Sequence, residues 1–388
     1  MKSVYNQLWL QNLELVKDAK QWLKSGFISK EQYTAISETY KSQFYHPNFT
    51  IRILLFIATL VAISGVTGML TLMVSSAGED ALAVIVLLYG FTAFFILDRI
   101  FIANYNHYKS GVTEAILYYA CGLTIGGASW VADFDSLVVN LACIIILSFA
   151  AYRYLDILCT IGACLSVSYL IFDECYEMGS AAQQSMPIVF IIIFTPVALY
   201  VRRLKKKEPA ELWYNCLTAI EVLSLITIYA AGNYLVVREL STELMNLDLV
   251  EGENIPLAFV FYVLTVIIPI LYLYLGIKKK DLVLLRVSLI VLAFSVFTFK
   301  YYYSLGYHEI TLVVSGMILI TIALALFKYL KTFKNGYTAN ELLLEKWAGA
   351  NPQAFIISQT LGDNRVTVDE SFNGGGGGFG GGGASGSY

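Results

Sequence analysis

The sequence predicts an all-α protein: a polytopic helical membrane bundle of about ten transmembrane helices, with a cytoplasmic helical hairpin before it and a disordered Gly-rich tail after it. Three observations carry this reading. The 388-residue chain is 57% hydrophobic and 14% charged, with mean hydropathy +0.64, whereas a water-soluble domain runs near about 45–50% apolar and about 25% charged. Apolar runs long enough to cross a hydrocarbon core recur along it. Between two of them lies VRRLKKKEPAELW, residues 201–213, with five basic residues in six positions, and so dense a cluster marks the side of the membrane it faces.

Residues 1–50 read as the hairpin. Leu8, Leu15, Ala19 and Trp22 share one helical face, flanked by Trp9, Val16 and Leu23. Gly26 stops that helix, and Ser29 with Gln32 has the spacing of a capping box that starts a second helix through Tyr40. Its outer surface either packs on the protein itself or docks a cytoplasmic protein partner. The amino terminus is too charged and too long for a signal peptide, so the first apolar span is expected to stay as an anchor.

The spans are expected at 53–74, 81–97, 112–131, 136–151, 154–172, 186–201, 212–237, 255–277, 282–304 and 309–327. The third is rich in small and polar residues and the fourth is short; a tight turn at Tyr152–Arg153 would make the fourth and fifth an antiparallel pair. On the side shared by both termini these spans leave 23 of the 26 basic residues. The opposite loops hold Arg238 and a series of carboxylates from Glu79 to Glu309. Both termini are therefore expected in the cytoplasm. Arg286 and Lys300 lie near span ends, where they can reach the interface. The bundle is assigned residues 51–329. It is followed by a short amphipathic helix at 330–350, in which Thr338 and Glu341 have capping-box spacing ahead of Trp347. Residues 351–388 end in a glycine tract that cannot recover the entropy of ordering and is expected to be disordered, or to use Phe379 and Tyr388 to contact a partner. Five of the six cysteines lie in apolar runs and only Cys175 in a loop, so no disulfide framework is implied.

The run LVKDAKQWLKSGFISKEQYTAI carries Trp22, Leu23, Gly26, Ile28, Ser29, Glu31 and Gln32 ahead of tandem apolar spans. In this it resembles a bacterial family called domain of unknown function 2157, a short helical segment followed by a multi-span region. The resemblance implies a multi-pass protein of the bacterial inner membrane and no established activity, and it brings no catalytic residues. The glycine tail is similar in composition to the tails of bacterial membrane proteins carrying TPM domains, although no such domain is visible.

Chemistry is sparse. Glu221 falls about 14 Å into the seventh span, near the middle of a core about 30 Å thick, where a carboxylate must be protonated, paired or in contact with water. Tyr214, Thr218, Glu221 and Ser224 share a face that Gly232 continues, and Arg286 is a candidate partner. Glu221 is then either a structural hydrogen-bonding group or a proton or cation site. Glu114 and Asp156 sit in first turns, where carboxylates cap helices, and Asn140 suits an interhelical hydrogen bond. Gly122 and Gly126 have the spacing that lets helices approach closely, within the bundle or across a homodimer seam. No nucleotide-binding loop, nucleophile elbow, CxxC or HExxH occurs. His46, His107 and His308 have no ligand cluster around them, so no metal or cofactor is expected. The short basic loops suit anionic lipid rather than nucleic acid. The sequence therefore favours a non-enzymatic structural or interaction protein in the lipid bilayer. The alternative is a secondary transporter or channel, proton-coupled or not, that uses Glu221. An intramembrane lipid enzyme would need a second polar group beside that glutamate.

Overall fold

The computed structural model describes residues 3–207, 212–243, 254–255 and 257–302, with residues 316, 317, 320, 321, 324 and 328. The expected tenth span, the 330–350 helix and the glycine tail thus lie outside the described residues, apart from those few positions. The chain divides into two compact units, residues 1–10 with 43–340 and residues 11–42 with 341–388.

In the smaller unit the hairpin follows its local signals. α1 (Gln7–Lys24) begins in the larger unit and runs to a turn in which Gly26 takes φ +75°, a conformation that a Cβ resists. α2 (Lys30–Thr39) starts at a reciprocal capping box: Gln32 N donates to Ser29 Oγ at 3.2 Å and Ser29 N to Gln32 Oε1 at 2.8 Å. Ala19, Trp22, Ile28 and Ile36 form its buried core. The boundary expected at residue 50 is drawn differently, because residues 3–10 and 43–48 belong to the bundle. Val4 N donates to Arg153 O at 3.1 Å and Tyr45 N to Asn106 O at 2.9 Å, while Tyr5, Leu10 and Phe44 are buried in the bundle's core.

The larger unit contains α3 (Phe49–Met73), α4 (Glu79–Ile96) with a π-helical extension (Leu97–Ile102), α5 (Val112–Val131), α6 (Ser136–Tyr154) and α7 (Ile157–Glu177). There follow α8 (Ser180–Leu204), α9 (Tyr214–Gly232), α10 (Tyr234–Glu243), α11 (Ala258–Lys279) and α12 (Leu282–Tyr302). Among the described residues eight helices are long and apolar enough to cross a membrane: α3, α4 with its extension, α6, α7, α8, α9, α11 and α12. α5 is not one of them, because Thr113, Glu114, Thr124 and Ser129 dilute its apolar content. Eleven of its 20 residues are buried, which makes it the interior helix of the first half. α3 has no buried residue and presents Leu54, Val61, Met69 and Leu72 outward, a surface suited to lipid.

Three expectations change here. Between α4 and α5 the close-packing glycines are not Gly122 and Gly126, which have open space within the chain where a Cβ would stand; Gly122 is exposed. They are Gly127, where a Cβ would lie 2.5 Å from Leu87 N, and Gly90, where it would lie 2.2 Å from Thr124 Oγ1. The small-residue run in α5 thus meets α4 through a face about one residue over. The α6–α7 turn comes at Leu155 (φ +56°), two residues later than expected, and α7 extends through Glu177, so that Cys175 is buried in a helix rather than placed in a loop. The span expected at 212–237 is two helices, broken at Asn233.

Among the described residues three cores hold this unit together, the smallest being Tyr234, Val237, Ile255 and Phe261 around α10 and the start of α11. Ala93, Leu97, Ile116, Leu117, Ala120 and Ala150 centre the first, on α4, α5 and α6. Phe194, Leu225, Ile268, Leu284 and Val287 centre the second, on α8, α9, α11 and α12.

Candidate functional site

α8 ends on an apolar face, Phe194, Ala198 and Val201, followed by Arg202 and Lys205. The neighbouring α9 does not start level with that end. Trp213 Nε1 donates to Tyr152 O at 2.9 Å and Cys216 Sγ lies 3.7 Å from Asp156 O, which ties the first turn of α9 to the α6–α7 turn. Glu221 then comes level with the last turn of α8. Its Oε1 accepts from Arg202 Nε at 2.5 Å and its Oε2 from Lys205 Nζ at 2.7 Å. Arg202 Nη2 lies 3.1 Å from Asp281 Oδ2, a charge contact without aligned hydrogen-bond geometry. Asp281 in turn caps α12, its Oδ1 accepting from Leu284 N at 3.1 Å. Two cations and two carboxylates thus join α8, α9 and the α11–α12 turn with no net charge. The Glu221 side chain is 1% exposed and those of Arg202 and Lys205 are 18% and 11% exposed. Such burial is tolerable only because each charge has a partner.

The other expected members of this site distribute unevenly. Tyr214 is exposed and lies under Lys205, whose Nζ is 4.9 Å from the ring centroid. Thr218 Oγ1 is buried without a hydrogen-bond partner among the described residues, and Ser224 Oγ donates to Ile220 O within its own helix. Gly232 packs against Ile268 and Leu264. Arg286 is not the partner of Glu221; that place belongs to Arg202 and Lys205, from the basic loop itself. The depth assigned to Glu221 changes with it. Measured from Tyr214 it lies only about 10 Å along α9, opposite the helix ends that carry its partners. A symmetric α8–α9 hairpin would set Glu221 against apolar residues of α8, so no sequence signal pointed to this pairing.

The same end of the bundle holds further compensated charges. Glu114 Oε1 accepts from Arg52 Nη2 at 2.5 Å, and its Oε2 from Gly111 N at 2.8 Å and Thr113 Oγ1 at 2.9 Å, so the expected cap also bridges to α3. Asp156 caps α7 through Cys159 N at 2.8 Å and accepts from Tyr118 Oη at 3.0 Å. Asp98, in the π-helical extension, accepts from both the Arg153 guanidinium and Tyr154 Oη. In the loop before α5, His107 Nδ1 lies 2.9 Å from Ser110 Oγ, and burial pushes the imidazole below the usual histidine range.

At the opposite end, α9 breaks at a neutral network. Asn233 Nδ2 donates to Tyr229 Oη and Thr298 Oγ1, both at 2.9 Å, and Tyr234 N donates to Thr265 Oγ1 at 3.0 Å. Thr265 of α11 thereby satisfies a backbone N–H that the break frees, and Thr298 of α12 holds the Asn233 side chain, whose Oδ1 accepts from Val236 N at 3.2 Å. A cavity of about 150 Å³ lies beside the break, walled by α7, α8, α9, α10 and the start of α11. Asn140 makes no interhelical bond through its Nδ2, which is buried without a partner. Among the described residues no group of three or more His, Cys, Asp or Glu side chains is placed to hold a metal ion.

Helices of this length and apolarity, joined by ion pairs at their ends, define an all-α, multi-pass integral membrane protein. Comparison of the chain with protein-family models, with curated proteins and with solved structures finds no match.

Proposed function

We propose that the chain is a non-enzymatic structural or interaction protein of the bacterial cytoplasmic membrane, with both termini in the cytoplasm and the helical hairpin as its partner-binding part. One observation carries this reading: both Glu221 oxygens are held by cations in a side chain that is 1% exposed. A carboxylate occupied in this way is a helix clamp and not a relay. The placement in the membrane is supported by the 23 of 26 basic residues on one side, with α5 as a ninth crossing and residues 309–327 as a tenth. The bacterial assignment rests on the amino-terminal resemblance to domain of unknown function 2157. Purified protein in liposomes loaded with a pH-sensitive dye tests the reading. Proton entry at the same rate in wild type, Glu221→Gln and empty vesicles is expected. A flux that depends on Glu221 would overturn it.

A second reading, transport, is favoured by the Asn233 break at the far end of α9, since a helix break beside a cavity is a feature of transporter sites. It would rest on the α9–α10 junction rather than on Glu221.

A further inference from the structure

We propose that the cavity beside the α9–α10 break is a binding site for the acyl chain of a neutral or zwitterionic lipid, entered from the surrounding leaflet. This requires only that the protein lies in a bilayer; it depends neither on the sidedness nor on the interaction role. Three features of the sequence make the space. The break at Asn233 interrupts α9, whose wall here is Thr227 and the small Ala230 and Ala231. Gly232 gives no room, because a Cβ there would lie 2.6 Å from Ile268 Cδ1. Pro187 lines the wall within α8 and has no N–H for the carbonyl of Gln183.

The lining grades from polar to apolar along α8. Gln183 and Gln184 lie in the second turn from Ser180, and Gln184 is exposed. Phe190 lies about 15 Å from the start of α8 at 1.5 Å per residue, and Phe172, Met186 and Phe261 complete an apolar wall. Of the four polar lining side chains, Gln183, Gln184, Thr227 and Ser241, two are bonded within the protein: Ser241 Oγ donates to Val237 O at 2.7 Å and Gln183 Nε2 to Tyr176 O at 3.0 Å. A cleft of this size with so apolar a wall takes a slender apolar body, whereas a helix about 10 Å across does not fit. Of what a bilayer supplies, an acyl chain matches the wall and an ester or hydroxyl matches the Gln184 amide. Three carboxylates, Glu177, Glu239 and Glu243, outnumber the one cation of α10, Arg238, which donates to Tyr234 Oη at 3.2 Å, and this net negative charge on the bordering helices disfavours an anionic headgroup.

The test uses the full chain in nanodiscs with a phosphatidylcholine carrying a photoreactive diazirine on one acyl chain, and maps the label by peptide mass spectrometry. Label is expected to concentrate on peptides spanning 183–190 and 227–241. It should fall about tenfold in Ala231→Phe and in Ala230→Leu, the change for displacing about two methylene groups. Ile192→Phe, on an exposed face of α8, should leave it unchanged. Thermal unfolding checks each variant, and Ala230→Leu, the smaller change, carries the result if Ala231→Phe does not fold. Label spread evenly over lipid-facing helices, or undiminished in the folded filling variants, overturns the site. Stronger labelling by the phosphatidylglycerol analogue overturns the headgroup assignment.

Discussion

Replacing Glu221 by Leu should be among the most damaging single changes in the bundle, and replacing its partners as well should rescue it. The substitution leaves Lys205 buried and unpaired and leaves Arg202 with only Asp281 at 3.1 Å. Removing one member of a buried ion pair costs about 3–5 kcal/mol. Arg202 and Lys205 are 18% and 11% exposed and end α8, so partial escape toward the interface places the expected loss at the lower end, about 3 kcal/mol. At about 2–4 °C per kcal/mol this lowers the unfolding midpoint by roughly 6–12 °C. The triple variant Arg202→Met, Lys205→Met, Glu221→Leu removes the charges together, and well-packed apolar replacements of buried ion pairs are neutral or stabilising by about 1–4 kcal/mol. Its remaining cost is the loss of Arg202 from Asp281, which is 26% exposed and keeps its bond to Leu284 N; that is about 1 kcal/mol or less. Thermal unfolding of wild type, the single variants and the triple in one lipid–detergent mixture measures the non-additivity. If Glu221→Leu unfolds within about 1 kcal/mol of wild type, or if the three effects simply add, the clamp does not have the role assigned to it.

Gly127→Leu should force α4 and α5 apart, because a Cβ at 127 would meet Leu87 N at 2.5 Å; a loss of about 1–3 kcal/mol is expected, against about 0.5 kcal/mol or less for Gly126→Leu, whose space is open. Equal effects at the two glycines would show that the seam lies elsewhere. The His107 imidazole is held below its ordinary range by burial, so the fold favours the neutral ring. Its contribution is intact above the unfolded pKa of about 6.5 and is lost as pH falls through the lower folded value. His107→Gln should therefore flatten the acid side of a stability profile taken between about pH 5 and 8, and a slope unchanged by the substitution would refute this. In a cysteine-free background, Lys207→Cys and Lys279→Cys should react with an impermeant maleimide only after cells are opened, and Asp133→Cys and Glu177→Cys in intact cells; reaction of all four from outside would refute the sidedness.

Much of the bundle was legible because hydropathy and loop charge act along the chain, where a sequence displays them. Helices α3 to α9, α11 and α12 all begin or end near expected spans, the cap at Ser29 follows from its spacing to Gln32, and those at Glu114 and Asp156 follow from their place in a first turn. What escaped depends on how helices sit side by side. Glu221 meets Arg202 because α9 starts well beyond the end of α8, an offset set by contacts of Trp213 and Cys216 with another turn. Gly127 rather than Gly126 faces Leu87 because of the rotation of α5 about its axis. The break at Asn233 is stabilised by Thr298, 65 residues away, and by Thr265. None of these partners is marked as such in local sequence.

The clamp also bears on how the chain enters the membrane. A lone helix carrying Glu221 would insert against a cost of a few kcal/mol for its carboxylate. The two cations that cancel that charge are synthesised before it, 19 and 16 residues upstream. α8 and α9 can therefore leave the insertion machinery as one neutralised hairpin. Separating them with a long hydrophilic insert after Lys207 should strand α9 at the interface, although every residue of both helices is unchanged.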